Sequence, residues 1–226
     1  MRQTADTKER ILSSALDLIY ARSYAAVGVQ EICEHAGVKK GSFYHFFPSK
    51  QALTLAALGR QWNDARHRVW EAALTGRRPF RQKLERCFEL FHEHQCGAKA
   101  KTGRVPGCPF GNLALELGTQ DEVIRRKVDE ILRECTGYVE RALCEAIAAG
   151  ELPDRDTVVA AETIVAFMEG AMLMAKTRND PKLIKDLSRG LLRLLQTSTA
   201  GAGKARSRNG ATKGRVRIRA GARLTG

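Results

Sequence analysis

The sequence lacks the cysteine patterns that hold structural zinc or stabilise small secreted proteins. Its six cysteines form no C-x-x-C pair and no zinc-ribbon spacing, which argues against a zinc ribbon and a dithiol redox motif. The N-terminal stretch MRQTADTKER contains no apolar region of the kind that a secretory signal peptide needs. We therefore expect free thiols in a protein of the reducing cytoplasm.

Catalytic signatures are also missing. The chain has no glycine-rich phosphate loop, no carboxylate pair and no nucleophile elbow, which argues against an enzyme and against a bound cofactor. The pattern H-x-H-x-C at His92, His94 and Cys96 is reminiscent of metal ligands. Alternate residues on a helix, however, point about 200° apart. These three side chains cannot converge without unwinding the helix, so we expect no metal site.

A membrane span is not expected either. The most apolar stretch, VVAAETIVAFMEGAMLMA at 158–175, carries Glu162 and Glu169. Carboxylates are rare and costly inside membrane-spanning helices. This stretch is therefore expected to form a buried helix.

Strand patterns are nearly absent, and helical periodicity dominates. Helix-ending residues such as Gly37 and the boundary at Pro79 divide the pattern into separate helices. The prediction is an all-α fold. We expect four parts: an N-terminal module over 1–47, a connecting helix over 48–78, a helical body over 79–198 and a disordered basic tail over 199–226.

The positive charge is unevenly distributed. The formal net charge of +13 and the sequence pI of about 9.8 favour a polyanionic partner, either nucleic acid or an anionic membrane surface. Residues 201–226 contain eight basic residues and no acidic one, and subtracting these charges leaves +5 for residues 1–200. The tail has too little apolar surface to fold. It either adds a salt-sensitive contribution to DNA affinity or is a solvated segment without function.

The stretch GVKKGSFYHFFPSK contains five consecutive aromatic rings. Two short helices joined at HAGVKKG form the helix-turn-helix pattern, whose second helix enters a DNA major groove. At about 100° per residue, three phenylalanines share one face, while two other rings and Gly41 lie on the opposite face. The inward rings are Phe43, Phe46 and Phe47, and the outward rings are Tyr44 and His45. Lys39 and Lys40 stand at the helix start, where free N–H groups favour phosphate.

The segments ILSSALDLIYARSY and VQEICEHAGVKKGSFYHFFPSK, with the following QAL, resemble the DNA-binding domain of the TetR family. The resemblance covers about residues 6–52. It implies a homodimer, a palindromic operator in double-stranded DNA and a C-terminal domain that binds an effector. The resemblance places Lys40, Ser42, Tyr44 and His45 on the recognition helix. It places Lys50 at a phosphate-contacting position. Together with the helix-face argument, the expected DNA-binding residues are Gln30, Lys39, Lys40, Gly41, Ser42, Tyr44, His45 and Lys50.

Two positions depart from the family pattern. Val27 and Gly28 stand where the family usually has Thr or Ser opening the second helix, and Lys39 replaces the usual Ser before the recognition helix. Both departures remove an expected hydroxyl cap. We expect them to shift DNA affinity from ordered contacts towards electrostatics.

The last two predicted helices, over 154–178 and 182–197, are the candidates for a dimer interface. The family resemblance implies that they form a four-helix bundle across a two-fold axis. The first of them is apolar on most sides, as expected if a partner and a core both cover it. Packing within a single chain is the alternative interpretation.

The stretch VPGCPFGNLALEL contains a second candidate site. Pro109 at the first helical position makes Cys108 the expected N-cap residue, beside a predicted loop at 97–107. Free N–H groups and the helix dipole favour thiolate, so the sequence predicts a lowered pKa for Cys108. The run also resembles the effector domain of a NemR-type, electrophile-sensing TetR subgroup. Cys108 is therefore a redox or electrophile sensor, a residue lining the effector pocket, or a buried residue without chemistry.

Two functional hypotheses remain. The first is a TetR-type regulator, in the simplest case a repressor, that a small-molecule or thiol-reactive effector releases from its operator. The alternative is a non-specific DNA-compacting protein that uses its basic charge and tail. The two differ in whether binding to a palindrome survives competitor DNA at physiological salt.

Overall fold

The computed structural model describes the backbone over 2–205 and the side chains over 6–195. Within that range the chain is helical and forms no strand, which confirms the all-α prediction. The elements are α1 (Arg2–Ala21), α2 (Val29–Ala36), α3 (Lys40–Phe46), α4 (Lys50–Ala65), a π-helical segment (Arg66–Glu71), α5 (Ala72–Leu74), α6 (Phe80–Thr102), α7 (Pro109–Leu117), α8 (Glu122–Ala148), α9 (Thr157–Arg178) and α10 (Lys182–Ala205).

The N-terminal helices pack around their own apolar core. Ile11, Ile32, Phe43 and Leu53, from four successive helices, are each 0% exposed. The turn between α2 and α3 is closed by Gly37 in the left-handed region at φ 62°, a conformation that glycine adopts without a Cβ penalty. The three helices of the module and the start of α4 are therefore held by one buried cluster.

The three phenylalanines of the aromatic run contact this core as predicted. Phe43 and Phe47 are buried, and Phe46 is half-buried against the same cluster. The rings of Phe43 and Phe47 lie 6.1 Å apart, within the range of favourable aromatic pairs. This packing fixes the orientation of α3 and therefore the face that it turns outward.

The second core lies among α6, α7, α8, α9 and α10 and begins at Leu58 in the middle of α4. Trp62 packs against Trp70 and Phe110, with ring centroids 6.4 and 6.3 Å apart. Helix α4 thus contributes its first half to the N-terminal core and its second half to the body. The domain boundaries given above remain predictions.

Two helices are longer than the sequence pattern predicted. Helix α6 continues to Thr102, so the predicted loop at 97–107 is wrong over 97–102. Alanine and lysine are strong helix formers, and they outweigh the single Gly97 there. Helix α10 continues to Ala205, beyond the predicted end at 197, and the disorder of the basic tail stays a prediction. Extending an existing helix adds one hydrogen bond per residue without a new nucleus.

The remainder of the predicted tail, 206–226, lies outside the described residues.

Helix α9 is long and apolar enough by length and composition to cross a membrane, and among the described helices it alone passes that test. Seven of its residues are buried, and α8 and α10 pack beside it. A core helix passes the same test of composition, so the observed packing accounts for its apolar character. The buried residues are Ala161, Ile164, Val165, Met168, Ala171, Met172 and Ala175.

Candidate DNA-binding surface and effector cavity

The outer face of α3 presents the side chains predicted to read DNA. Tyr44 is 54% exposed, and its ring meets Phe43 edge-on with centroids 5.1 Å apart. His45 is exposed and packs against Phe46 at 4.9 Å. Each outward ring is thus supported by an inward one. Gly41 is exposed, and a Cβ added there would meet nothing within 4 Å among the described residues, so this part of the chain leaves room for close approach of another molecule.

The starts of α2 and α3 lack side-chain caps, as their sequence predicted. The N-cap of α2 is Gly28, which has no side chain. The N-cap of α3 is Lys39, whose side chain makes no hydrogen bond to the helix. The free N–H groups of these first turns are available to an anion. Lys39 and Lys40 are exposed and Ser42 is half-buried beside them. On α2, Gln30 is exposed and donates to Glu34 at 2.6 Å.

Lys50 has an additional structural role that the sequence did not indicate. Its ammonium donates to the carbonyl oxygens of Tyr24 and Val27 at 2.9 and 3.0 Å, and it lies 4.0 Å from the centroid of the Tyr24 ring. Partial burial lowers its pKa. Lys50 therefore ties the start of α4 to the segment before α2. Phosphate contact by Lys50 remains a prediction.

Below the N-terminal module, the body encloses a cavity of about 470 Å³. Its volume falls in the range of small-molecule sites, about 300–1,000 Å³. Aromatic rings form much of the wall, and Leu16 and Tyr20 of α1 reach it from the N-terminal module. The cavity is thus bounded by both halves of the chain. Wall residues used below are Tyr20, Trp70, Phe91, Gln95, Cys108, Phe110 and Glu169.

Cys108 lines this cavity. It is also the N-cap of α7, and that position was predicted. Its sulfur accepts from the backbone N–H of Gly111 at 3.4 Å. The predicted lowering of its pKa is wrong, because burial raises the pKa of the Cys108 thiol well above its usual value and the nearby Glu169 carboxyl raises it further. The bonds from the helix N-terminus act in the opposite direction but do not outweigh burial. In this conformation Cys108 is a neutral thiol.

Glu169 reaches the cavity from the middle of α9. Burial raises the pKa of its carboxyl group, and the bond to Cys108 opposes that shift. The carboxyl packs against the first turn of α7 so closely that a Cβ at Gly111 would lie 2.5 Å from Glu169 Oε2. Glycine is the residue that leaves room for this approach.

The segment before α7 is fixed by paired polar groups. The side-chain amide of Gln95 donates to the Gly107 carbonyl at 2.9 Å and accepts from the Gly107 N–H at 3.0 Å. The Tyr20 hydroxyl also donates to the Gly107 carbonyl. Burial raises the pKa of Tyr20, and Cys108 and Glu169 add to that effect, so Tyr20 remains a neutral donor.

Helix α7 also contacts the segment between α1 and α2. The carboxylate of Glu116 accepts from the backbone N–H groups of Tyr24 and Ala25, at 2.9 and 2.7 Å. Lys50 bonds to the carbonyl of the same Tyr24. Hydrogen bonds therefore connect α7 to the segment before α2, and Lys50 connects that segment to the start of α4.

The structure does not bring the three residues of the H-x-H-x-C pattern together. His92 and Cys96 lie one turn apart, with Nε2 and Sγ 3.4 Å from each other. His94 instead lies at the cavity. Over 6–195, no group of three histidine, cysteine or acidic side chains is arranged to hold a metal ion.

Sequence reasoning overlooked Tyr20, Gln95, Glu116 and Glu169 as functional residues. Their partners lie far away in the chain, so no local pattern reveals them. Glu169 alone carried a usable indication, since a carboxylate in an otherwise apolar stretch calls for a specific environment. The sequence alone does not decide whether such a carboxylate lies in a membrane or at a cavity, and only the fold distinguishes the two.

These features define a class of protein: a helix-turn-helix module joined by direct hydrogen bonds to a helical body with a ligand-sized cavity. Comparisons with known proteins identify the family. Residues 11–57 match the bacterial regulatory proteins of the tetR family. Residues 81–191 match the tetracyclin repressor-like C-terminal domain.

Individual relatives agree with this assignment. The transcriptional regulator AcuR of Cereibacter sphaeroides is 30% identical over 192 residues, which cover 84% of this chain and 86% of AcuR. The transcriptional repressor NemR of Escherichia coli K12 is 28% identical over 138 residues, which cover 61% of this chain and 67% of NemR. A TetR transcriptional regulator from Chloroflexus aurantiacus J-10-FL matches in structure with a TM-score of 0.76 and 26% identity, over 87% of this chain and 97% of that one. The chain belongs to the TetR family of transcriptional regulators.

Proposed function

We propose that this protein is a cytoplasmic repressor that binds a palindromic operator as a homodimer and leaves it when a small molecule occupies the cavity. The observation that carries the proposal is the direct bonding between the cavity wall and the helix-turn-helix module. Tyr20, in the wall, bonds to Gly107 next to Cys108. Glu116 lies outside the wall, but it is on α7, which begins at the wall, and it bonds to the segment before α2. A ligand that changes the position of α7 therefore changes the position of α2 and α3.

Dimer formation is supported by apolar side chains that a single chain leaves exposed. Val158, Val159, Leu173 and Met174 of α9 are each at least 39% exposed. They form two pairs towards the two ends of the helix, and exposed apolar side chains at both ends favour an interaction along α9. In the proposed dimer this side of α9 packs against a second copy and places two recognition helices about 34–36 Å apart, one turn of DNA.

The proposed mechanism is a population shift. The empty protein favours a spacing of the recognition helices that fits adjacent major grooves, and the effector favours a different spacing. A ligand shifts this equilibrium only through its different affinity for the two arrangements. Tyr20 of α1 and Cys108 of the α7 N-terminus both lie in the cavity wall, which supports a ligand affinity that depends on how α1 and α7 are placed.

Cys108 is proposed to line the effector site as a neutral thiol. The sequence resemblance of the VPGCPFGNLALEL run and the N-cap position favoured a thiol-reactive effector. Burial and the Glu169 carboxyl oppose thiolate formation in this conformation. A thiolate is the reactive form of cysteine, so the present geometry favours reversible binding over covalent sensing.

Selection from random duplex DNA tests the function. Wild-type protein and Tyr44→Ala are each incubated with a randomised duplex library, and the bound DNA is sequenced over repeated rounds. We expect the wild type to enrich a two-fold symmetric site and the variant to enrich it weakly or not at all. Enrichment of no symmetric site, with affinity that collapses as salt rises, would support the DNA-compacting alternative instead.

A further inference from the structure

The Glu169 side chain is a half-buried acidic group in the cavity wall, and it lacks a cationic partner. Over 6–195, no lysine, arginine or histidine forms an ion pair or hydrogen bond with it. The Cys108 thiol lies beside it as a side-chain partner, and a thiol is a weak donor. An ionised carboxylate accepts several hydrogen bonds, and burying it without them is costly. The carboxyl therefore keeps unused capacity to accept a donor.

The polar groups around it are already paired. Gln95 uses both its amide nitrogen and its amide oxygen on Gly107. The Tyr20 hydroxyl donates to the same Gly107 carbonyl. Unlike Gln95 and Tyr20, the Glu169 carboxyl thus keeps most of its capacity to accept hydrogen bonds unused.

The rest of the cavity suits a positively charged organic group. Trp70, Phe91 and Phe110 supply aromatic faces, and a cation over such a face gains about 0.5–2 kcal/mol. The mouth carries three exposed carboxylates and two basic groups. The acids are Asp17, Asp64 and Glu93, and the bases are Arg68 and His94.

We propose that this cavity binds an organic cation, a protonated amine or quaternary ammonium on an apolar body, with its charge at Glu169. The inference rests on the proposed function, because it names the chemical class of effector for the same site. A cation supplies the missing partner for the carboxyl, and the apolar body fills the aromatic part of the cavity. A ligand of negative charge would either lie beside a second negative charge in a region of low dielectric or require the Glu169 carboxyl to bind a proton.

The position of Glu169 also connects ligand charge to DNA binding. Its carboxyl lies against the first turn of α7, next to Gly111, and α7 contacts the N-terminal module through Glu116. A cation that draws the carboxyl into the cavity changes the contact that holds the start of α7. Occupation of the cavity is thereby coupled to the segment before α2.

Three probes with one apolar body test the charge preference: 4-phenylbutylammonium, 4-phenylbutanol and 4-phenylbutyrate. Binding to the full-length protein near neutral pH is measured by calorimetry and by tryptophan fluorescence, since Trp70 lies in the wall. We expect the ammonium to bind at least about tenfold more tightly than the alcohol, and the carboxylate to bind most weakly. Equal or tighter binding of the alcohol or the carboxylate would overturn the proposal, as would no binding of the ammonium at about 10 mM.

The matched variants are Glu169→Gln and Glu162→Gln. Both change a carboxyl to an amide on α9, but Glu162 is exposed and does not line the cavity. We expect Glu169→Gln to lose the preference for the ammonium while it still binds the alcohol, whereas Glu162→Gln behaves as the wild type. Retained preference in Glu169→Gln contradicts the proposal, and circular dichroism verifies that each variant is folded.

Binding of the selected palindrome, measured on the same preparations without ligand, separates the two proposals. Specific DNA binding without an ammonium preference overturns only the ligand class. An ammonium preference without specific DNA binding overturns the repressor function and leaves the cation site supported.

Discussion

Removing the Glu116 carboxylate tests the connection between the body and the N-terminal module. Glu116→Ala deletes two charge-assisted hydrogen bonds, to the N–H groups of Tyr24 and Ala25. Bonds to charged groups contribute about 1.5–3 kcal/mol each. The bond to the Tyr24 N–H is part-buried, while the bond to the Ala25 N–H is exposed. Water therefore compensates for much of the lost bond to Ala25. We therefore expect the free energy of unfolding to fall by about 1–3 kcal/mol.

Two measurements follow this change. Urea unfolding monitored by tryptophan fluorescence gives the free energy, and hydrogen exchange with mass spectrometry gives local protection over 22–32. We expect faster exchange of the Tyr24 and Ala25 amides. Glu130→Ala is the control, since its exposed carboxylate pairs only with Lys127 of the same helix, at 2.7 Å. That variant should lose no more than about 0.5 kcal/mol.

An unchanged result would refute the reasoning. If Glu116→Ala keeps wild-type protection at Tyr24 and Ala25 and the same free energy of unfolding, the carboxylate does not hold these amides in solution. The proposed path from α7 to α2 would then lose its main contact. A decrease in the free energy of unfolding no larger than that of Glu130→Ala would refute the reasoning in the same way.

Further predictions concern three other side chains. Tyr44→Ala should weaken operator binding by about 1–3 kcal/mol without changing the free energy of unfolding, because Tyr44 is 54% exposed; equal operator affinity would remove its role. Lys50→Met should lower the free energy of unfolding by about 1–3 kcal/mol, since two carbonyls lose a charged donor; a loss of DNA affinity alone would indicate a phosphate contact. Cys108 should react with a thiol-labelling reagent more slowly than exposed Cys144, as measured by mass spectrometry; faster labelling of Cys108 would restore the sensor hypothesis.

The helix-turn-helix module was predictable because its determinants are local. Helix α2 ends at Gly37 because that position is left-handed, and the outward rings of α3 follow from 100° per residue. Cys108 became the N-cap of α7 because Pro109 follows it. Each of these predictions uses residues within one or two turns of each other.

The properties that the sequence did not reveal depend on distant partners. The pKa of Cys108 rises because of burial and because Glu169, 61 positions later, lies beside it. Lys50 bonds to carbonyls 26 and 23 positions earlier. The first turns of a helix can be predicted from the local sequence. The electrostatic environment around them, which determines a pKa, is set by the tertiary fold.

Competition binding tests the central claim most directly. A labelled duplex carrying the selected palindrome is titrated with protein at physiological salt in an excess of random-sequence competitor, and a duplex with one half-site scrambled is the control. The account predicts that the palindrome is still bound, with two chains per duplex, and that the scrambled duplex is bound far more weakly. Equal binding of both duplexes, displaced by competitor and abolished by salt, would contradict the assignment as an operator-specific regulator.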